Sequence, residues 1–177
     1  KIDNKPSAFR YPRGNGVGVQ LPKIDETLEI GKGRIILEGK KVAIINFGAR
    51  LEECKLASEI LSKKGINITI IDARFSKPLD EKLIMEVATN HELIITIEEG
   101  SIGGFGSHVA HFYSERGIFD KGIKFRSMIL PDEFIDQDTP KKMYSKAGLD
   151  SESIARKIQD ALESNIVLAK NKLIRNS

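Results

Sequence analysis

Tryptophan is absent from this 177-residue chain, and cysteine occurs once, at Cys54. A single thiol excludes an internal disulfide and any cysteine-built metal cluster. Cys54 falls on an apolar helical stripe with Leu51, Ala57 and Leu61, which predicts a buried structural thiol rather than a nucleophile. No apolar run approaches the roughly 20 residues a membrane span needs. The polar stretch from Lys1 to Arg10 is unlike a signal peptide. These absences predict a reduced, cytoplasmic setting with no membrane partner. A large excess of one sign of charge is also lacking. The net charge is +3, and lysines interleave with glutamates, so the basic stripe that nucleic-acid binding requires is missing. The first residue is Lys rather than Met, from which a piece of a longer protein is expected.

What the chain does hold is a globular balance: 40% hydrophobic and 30% charged residues, enough to bury a core without disulfides or metals. Residues 1–33 read as an arm. Pro6, Pro12 and Pro22 with Gly14, Gly16 and Gly18 interrupt any periodic pattern, and only Ala8–Tyr11 could form a short strand, with partners elsewhere. From Arg34 the pattern alternates. Arg34–Glu38 and Lys41–Phe47 read as strands joined at Gly39-Lys40 by a tight hairpin turn. A helix over Leu51–Lys64 stops at Gly65. Ile66–Asp72, Leu93–Ile97 and Ile123–Leu130 are further strands. Between them, Asp80 caps a helix carrying Leu83, Ile84, Val87 and Ala88, and another helix begins near Gly104–Ser107. Thr139-Pro140 is an N-cap followed by proline at the first helical position. A last helix starts near Ser151, with Ile154, Ile158, Ala161 and Leu162 on one face. The fold class that follows is α/β: a mainly parallel sheet with one antiparallel edge strand, supplied by the hairpin, and helices on both faces.

Ligands of open α/β sheets bind beyond the carboxyl ends of the strands. Gly48-Ala49-Arg50, Ala73–Pro78 and Glu98–Ser107 occupy that edge. Arg74, just past a strand, offers a planar fork matched to phosphate or carboxylate; a salt bridge to Asp80 or Glu81 is the other role open to it. Gly103-Gly-Phe-Gly-Ser107 matches neither the Walker nor the dinucleotide spacing. Close packing of helix against strand or subunit is the favoured reading there, ahead of an anion site. Glu98 and Glu99 are adjacent and so point to opposite faces, one of them free to cap a helix or pair with a basic residue. His108 and His111 lie three apart without a third matched ligand, which favours surface or interface histidines over a metal site. Tyr11-Pro12 is extended, placing Arg10 and Arg13 on opposite sides, so one of the two reaches a given anion. No Ser/His/Asp arrangement is legible.

The ordered blocks Arg10-Tyr-Pro-Arg-Gly14, Ile30-Gly-Lys-Gly33, Asp72-Ala-Arg-Phe-Ser-Lys-Pro-Leu-Asp80, Glu98-Glu-Gly100, Gly103-Gly-Phe-Gly-Ser107, Leu130-Pro-Asp132 and Gly148-Leu-Asp150 resemble the 1-deoxy-D-xylulose-5-phosphate synthases, a transketolase-like family. The resemblance covers nearly the whole chain. It implies that residues 1–33 end a pyrimidine-binding domain and include a linker, and that 34–177 form a transketolase C-terminal-like domain. It further implies a homodimeric enzyme using thiamine diphosphate and magnesium. That enzyme condenses pyruvate with D-glyceraldehyde 3-phosphate, releasing carbon dioxide, to give a precursor for isoprenoid, thiamine and pyridoxal synthesis. In such enzymes the catalytic histidines, metal ligands, cofactor motif and activating glutamate lie upstream of the matched blocks. The chain by itself is then expected to hold no catalytic, cofactor-binding or metal residue, to bind no cofactor and to be inactive. By the same resemblance, Arg10 and Arg74 are expected to be the pair that grips the aldehyde's phosphate. One departure is Gly100, where many relatives have Asn. The alternative is a non-catalytic assembly or anion-binding regulatory domain of a transketolase or pyruvate dehydrogenase beta-subunit relative.

Overall fold

A computed structural model gives the fold; it describes residues 2–12, 16, 18, 21–24 and 26–175, with side chains placed as far as residue 164. Among the described residues five strands form one sheet: β1 (Arg34–Leu37), β2 (Lys41–Phe47), β3 (Thr69–Asp72), β4 (His91–Glu98) and β5 (Lys124–Met128). Their order is β1-β3-β2-β4-β5. β3, β2, β4 and β5 run parallel, and β1 alone is antiparallel, against β3. The helices are α1 (Leu51–Ser62), α2 (Glu81–Asn90), α3 (Phe105–Glu115), α4 (Pro140–Lys146) and α5 (Ser151–Arg175). Among the described residues of the arm there is no helix or strand.

The central strands are apolar on successive residues because both faces are covered. Val42, Ile44, Ile70, Leu93, Ile95 and Ile97 pack against Cys54, Ala57 and Leu61 of α1 and Ile154, Ala155 and Ile158 of α5. Ala43, Ile45, Ile71 and Ile94 pack on the other face against Ile84, Val87 and Ala88 of α2 and Phe105, Val109 and Phe112 of α3. Helix limits follow local chemistry. The Asp80 carboxylate accepts the Leu83 amide at 3.2 Å and Thr139 Oγ1 accepts the Lys142 amide. Past α1, Gly65 takes φ +77°, and the amide of Ile66 donates back to Leu61 O.

One expectation is corrected. β1 and β2 do not form a hairpin: β1 pairs with β3, in the register Arg34↔Asp72 and Ile35↔Ile71, and β3 sits between them. The Gly39-Lys40 stretch therefore crosses the start of β3 instead of turning back. The Gly39 amide donates to Thr69 Oγ1 and the Lys40 amide to Asn67 O, both at 3.0 Å. The reversal then occurs at Lys41, with φ +63° and the Val42 amide bonded to Lys40 O. A buried parallel strand inserted in the gap satisfies ladders on two sides, where a hairpin would satisfy one. The antiparallel edge is real; its partner is 38 residues away instead of next in sequence.

Candidate functional site

The carboxyl ends of β2, β3 and β4 gather most of the polar chemistry. Arg74 begins the loop after β3 and has φ +58°, a left-handed conformation rare for a side chain of its size. The amide of Ala73 donates to Asn46 O on β2 at 2.8 Å, and that of Phe75 closes a three-residue turn onto Ala73 O. His108 on α3 bonds through Nδ1 to Ser76 O at 3.2 Å, tying down the far side of the loop. Arg74 is thus displayed from a backbone held before and after it.

The ionic partner of Arg74 is neither Asp80 nor Glu81. Its Nε lies 3.9 Å from Asp72 Oδ2, an oxygen that also meets Arg34 Nε at 3.0 Å. Asp80 is committed to the amides of Gly33 and Leu83 and to Lys32, and Glu81 faces Arg116. Beside Asp72 in the parallel register stands Asn46, fully buried. Its Nδ2 donates to Gly48 O, while its Oδ1 has no partner among the described residues.

Arg10 lines a cleft of about 90 Å³ with Tyr11, Pro12, Phe47, Gly48, Ala49, Glu98 and Glu99, above the ends of β2 and β4. Arg74 belongs to the same sheet edge, one strand over, and does not line that cleft. Arg13 and Gly14 lie outside the described residues.

The adjacent glutamates divide the two roles foreseen for them. Glu98 is 3% exposed, and its Oε1 accepts the Gly106 amide at 2.8 Å. Because Gly104 occupies the N-cap of α3 without a capping side chain, this carboxylate serves as the cap from the neighbouring strand. A Cβ on Gly104 would stand 2.6 Å from that carboxylate. The anion the glycine loop could hold is therefore supplied internally. Gly106 in turn lets α3 approach Thr96 and Ser127 of the sheet, the close packing expected. Glu99 pairs with Arg50 at 2.7 Å, and the Arg50 guanidinium lies 3.6 Å over the Tyr144 ring. Burial, then the hydrogen bond and charge of Glu99, raise the Tyr144 phenol above its ordinary value. Sequence reasoning passed over Arg50, Tyr144, Asn46, Asp72 and Arg34 as a polar set, since only the pairing of non-sequential elements unites them.

His111 meets Glu115 one turn on, at the surface. Among the described residues no three His, Cys, Asp or Glu side chains gather as a metal site. Among them no such cluster is available to hold the magnesium of a thiamine-diphosphate centre. Among the described residues no helix is long and apolar enough to cross a membrane.

Cys54 is fully buried. That burial, opposed only in part by the Arg50 charge, pushes the thiol from 9.0 up to about 12. Between those values the unfolded chain loses a proton that the fold retains, so stability falls as pH rises, by up to about 1.4 kcal/mol per unit. Cys54→Ser should flatten the decline in urea-unfolding free energy between pH 9 and 11. A decline equally steep in that variant would assign it to other groups.

A mainly parallel sheet with one antiparallel edge, helices on both faces and polar loops at the carboxyl ends defines a two-sided α/β domain. The comparisons are more particular. Residues 31–154 match the family model described as "Transketolase, C-terminal domain", and the chain belongs to that family. A split-gene transketolase described as an inactive beta4 tetramer is 30% identical with a TM-score of 0.71, over 81% of this chain and 46% of that one. A transketolase mutant from Pichia stipitis shares the fold at 13% identity, TM-score 0.53, over 76% of this chain and 19% of that one. The chain thus spans less than half the length of these similar proteins.

Proposed function

We propose that this chain is the C-terminal part of a 1-deoxy-D-xylulose-5-phosphate synthase: a thiamine-diphosphate and magnesium-dependent transferase joining pyruvate to D-glyceraldehyde 3-phosphate with loss of carbon dioxide. In this reading residues 1–33 close a pyrimidine-binding domain and lead into the C-terminal domain at 34–177. Cofactor and metal are held elsewhere in the homodimeric enzyme. The part played by this chain is to grip the triose phosphate through Arg10 and Arg74. The observation that carries the reading is Arg74 itself, a guanidinium at a parallel strand's carboxyl end, on a left-handed turn fixed on both sides. Arg10 stands at the same sheet edge. Holding a remote phosphate orients the aldehyde carbon for attack.

The test is steady-state kinetics of the holoenzyme containing this chain. Charge-assisted hydrogen bonds contribute about 1.5–3 kcal/mol. Arg74→Ala or Arg10→Ala should therefore raise KM for D-glyceraldehyde 3-phosphate by roughly 10- to 100-fold, with KM for pyruvate and turnover of unphosphorylated D-glyceraldehyde little affected. Unaltered KM for the phosphorylated aldehyde in both variants would refute the assignment. The similarity to a protein described as an inactive tetramer favours a second reading, a purely assembling or regulatory domain of a transketolase relative, and that outcome would select it.

A further inference from the structure

The phosphate site proposed above leaves one feature unexplained. A carboxylate, Asp72, stands beside the arginine meant to receive a dianion, where its charge would repel that ligand. Two observations remove the conflict. Arg34, its antiparallel cross-strand partner, meets Asp72 Oδ2 through Nε at 3.0 Å. This pairing, of the kind that stabilises sheets, offsets the Asp72 charge. Arg74 meets the same oxygen more loosely, at 3.9 Å and through Nε, on the inner side of its guanidinium. That leaves the terminal Nη pair as the end for an anion. The Arg74 side chain is one-quarter exposed and that of Asp72 is 14% exposed, so the anchor is the more deeply set partner.

We infer that Asp72 is a positioning residue for the phosphate-binding arginine, and that Arg34 keeps it from competing with the phosphate. Arg34, Asp72 and Arg74 form a relay carrying a net charge of +1. With Arg34 in place, Asp72 shares its charge and orients Arg74 without capturing it. Without Arg34, Asp72 turns its full charge on Arg74 and competes with the ligand. Without Asp72, the Arg74 side chain loses the contact that limits its rotamers and must be ordered by the ligand itself. Such ordering weakens binding by about threefold to tenfold for one rotamer-rich side chain. The inference rests on the proposed role of Arg74 and adds two residues to it.

The experiment is a double-mutant cycle in the holoenzyme containing this chain, with D-glyceraldehyde 3-phosphate and D-glyceraldehyde as paired substrates. Asp72→Asn should raise KM for the phosphorylated aldehyde about threefold to tenfold, the change falling on KM rather than kcat. It should add nothing once Arg74→Ala is present. Arg34→Met, a change at a half-exposed side chain, should act in the same direction and likewise vanish in the Arg74→Ala background, which keeps the test open if Asp72→Asn fails to fold. An unchanged or lowered KM in Asp72→Asn, equal effects on both aldehydes, or an effect that persists without Arg74 would overturn the inference. If Arg74→Ala itself leaves KM unmoved, the proposed function fails first, and the two failures are told apart by that single variant.

Discussion

Gly39→Val is expected to destabilise the domain by about 3 kcal/mol or more, at the upper end of what overpacking does. The crossing of the chain over the start of β3 leaves no room for a side chain. A Cβ on Gly39 would lie 2.7 Å from the carbonyl carbon of Asn67 and closer still to the Ile68 backbone. Backbone atoms cannot rotate away as a side chain can. The strain must therefore be relieved by lifting β1 from β3, with loss of the bonds to Thr69 Oγ1 and Asn67 O. Lys40→Ala, next door and exposed, should stay within about 0.5 kcal/mol. Urea-denaturation midpoints of the three proteins check this. A Gly39→Val protein as stable as its parent would mean that residue 39 sits in an open hairpin turn after all.

Glu98→Ala is expected to cost about 3 kcal/mol, because three losses coincide. The buried Gly106 amide loses its acceptor, the amino end of α3 loses its negative charge, and the space under Gly100 and Gly104 is left unfilled, neither glycine having a side chain to offer. Glu98→Gln keeps the shape and an oxygen for Gly106, and should lose roughly a third as much. Thermal and urea unfolding report the totals, and amide exchange along Phe105–Glu115 shows where the loss falls. Equal destabilisation by Ala and Gln would assign the whole effect to charge and none to the cap.

Much of this architecture was legible because its signals are local. Gly65, Asp80 and Thr139-Pro140 act within a turn of the helix ends they set, and the runs Val42–Ile45 and Leu93–Ile97 are apolar on every residue because both faces of the sheet are covered. The failure at Gly39-Lys40 has the same origin. Two strands divided by two turn-forming residues satisfy the local rule for a hairpin, and nothing near them announces that Thr69–Asp72 will insert between. The site divides in the same way. Arg74 could be singled out by its place after a strand, and Glu98-Glu99 by opposed facing. The partners the sequence suggests for Arg74, Asp80 and Glu81, open the next helix. The actual one, Asp72, lies two residues back and is shared with Arg34 only because β1 lies beside β3. The Arg50–Glu99–Tyr144 cluster draws on three elements and has no sequence spacing to betray it.

The placement of β1 has a mechanical side. It is an edge strand and, among the described residues, is joined to the sheet through β3 alone, by a ladder of Arg34, Ile35 and Leu37 with a register shift inside it. The arm bearing Arg10 leads directly into it. A tug on the arm meets the contacts of Lys32 and Gly33 with Asp80 first and then that short seam, which opens from the Arg34 end while β2 and β4 keep their grip at the centre. Behind those contacts the first tooth of the zip is Arg34–Asp72, so slack that passes them reaches the guanidinium of Arg74 as well.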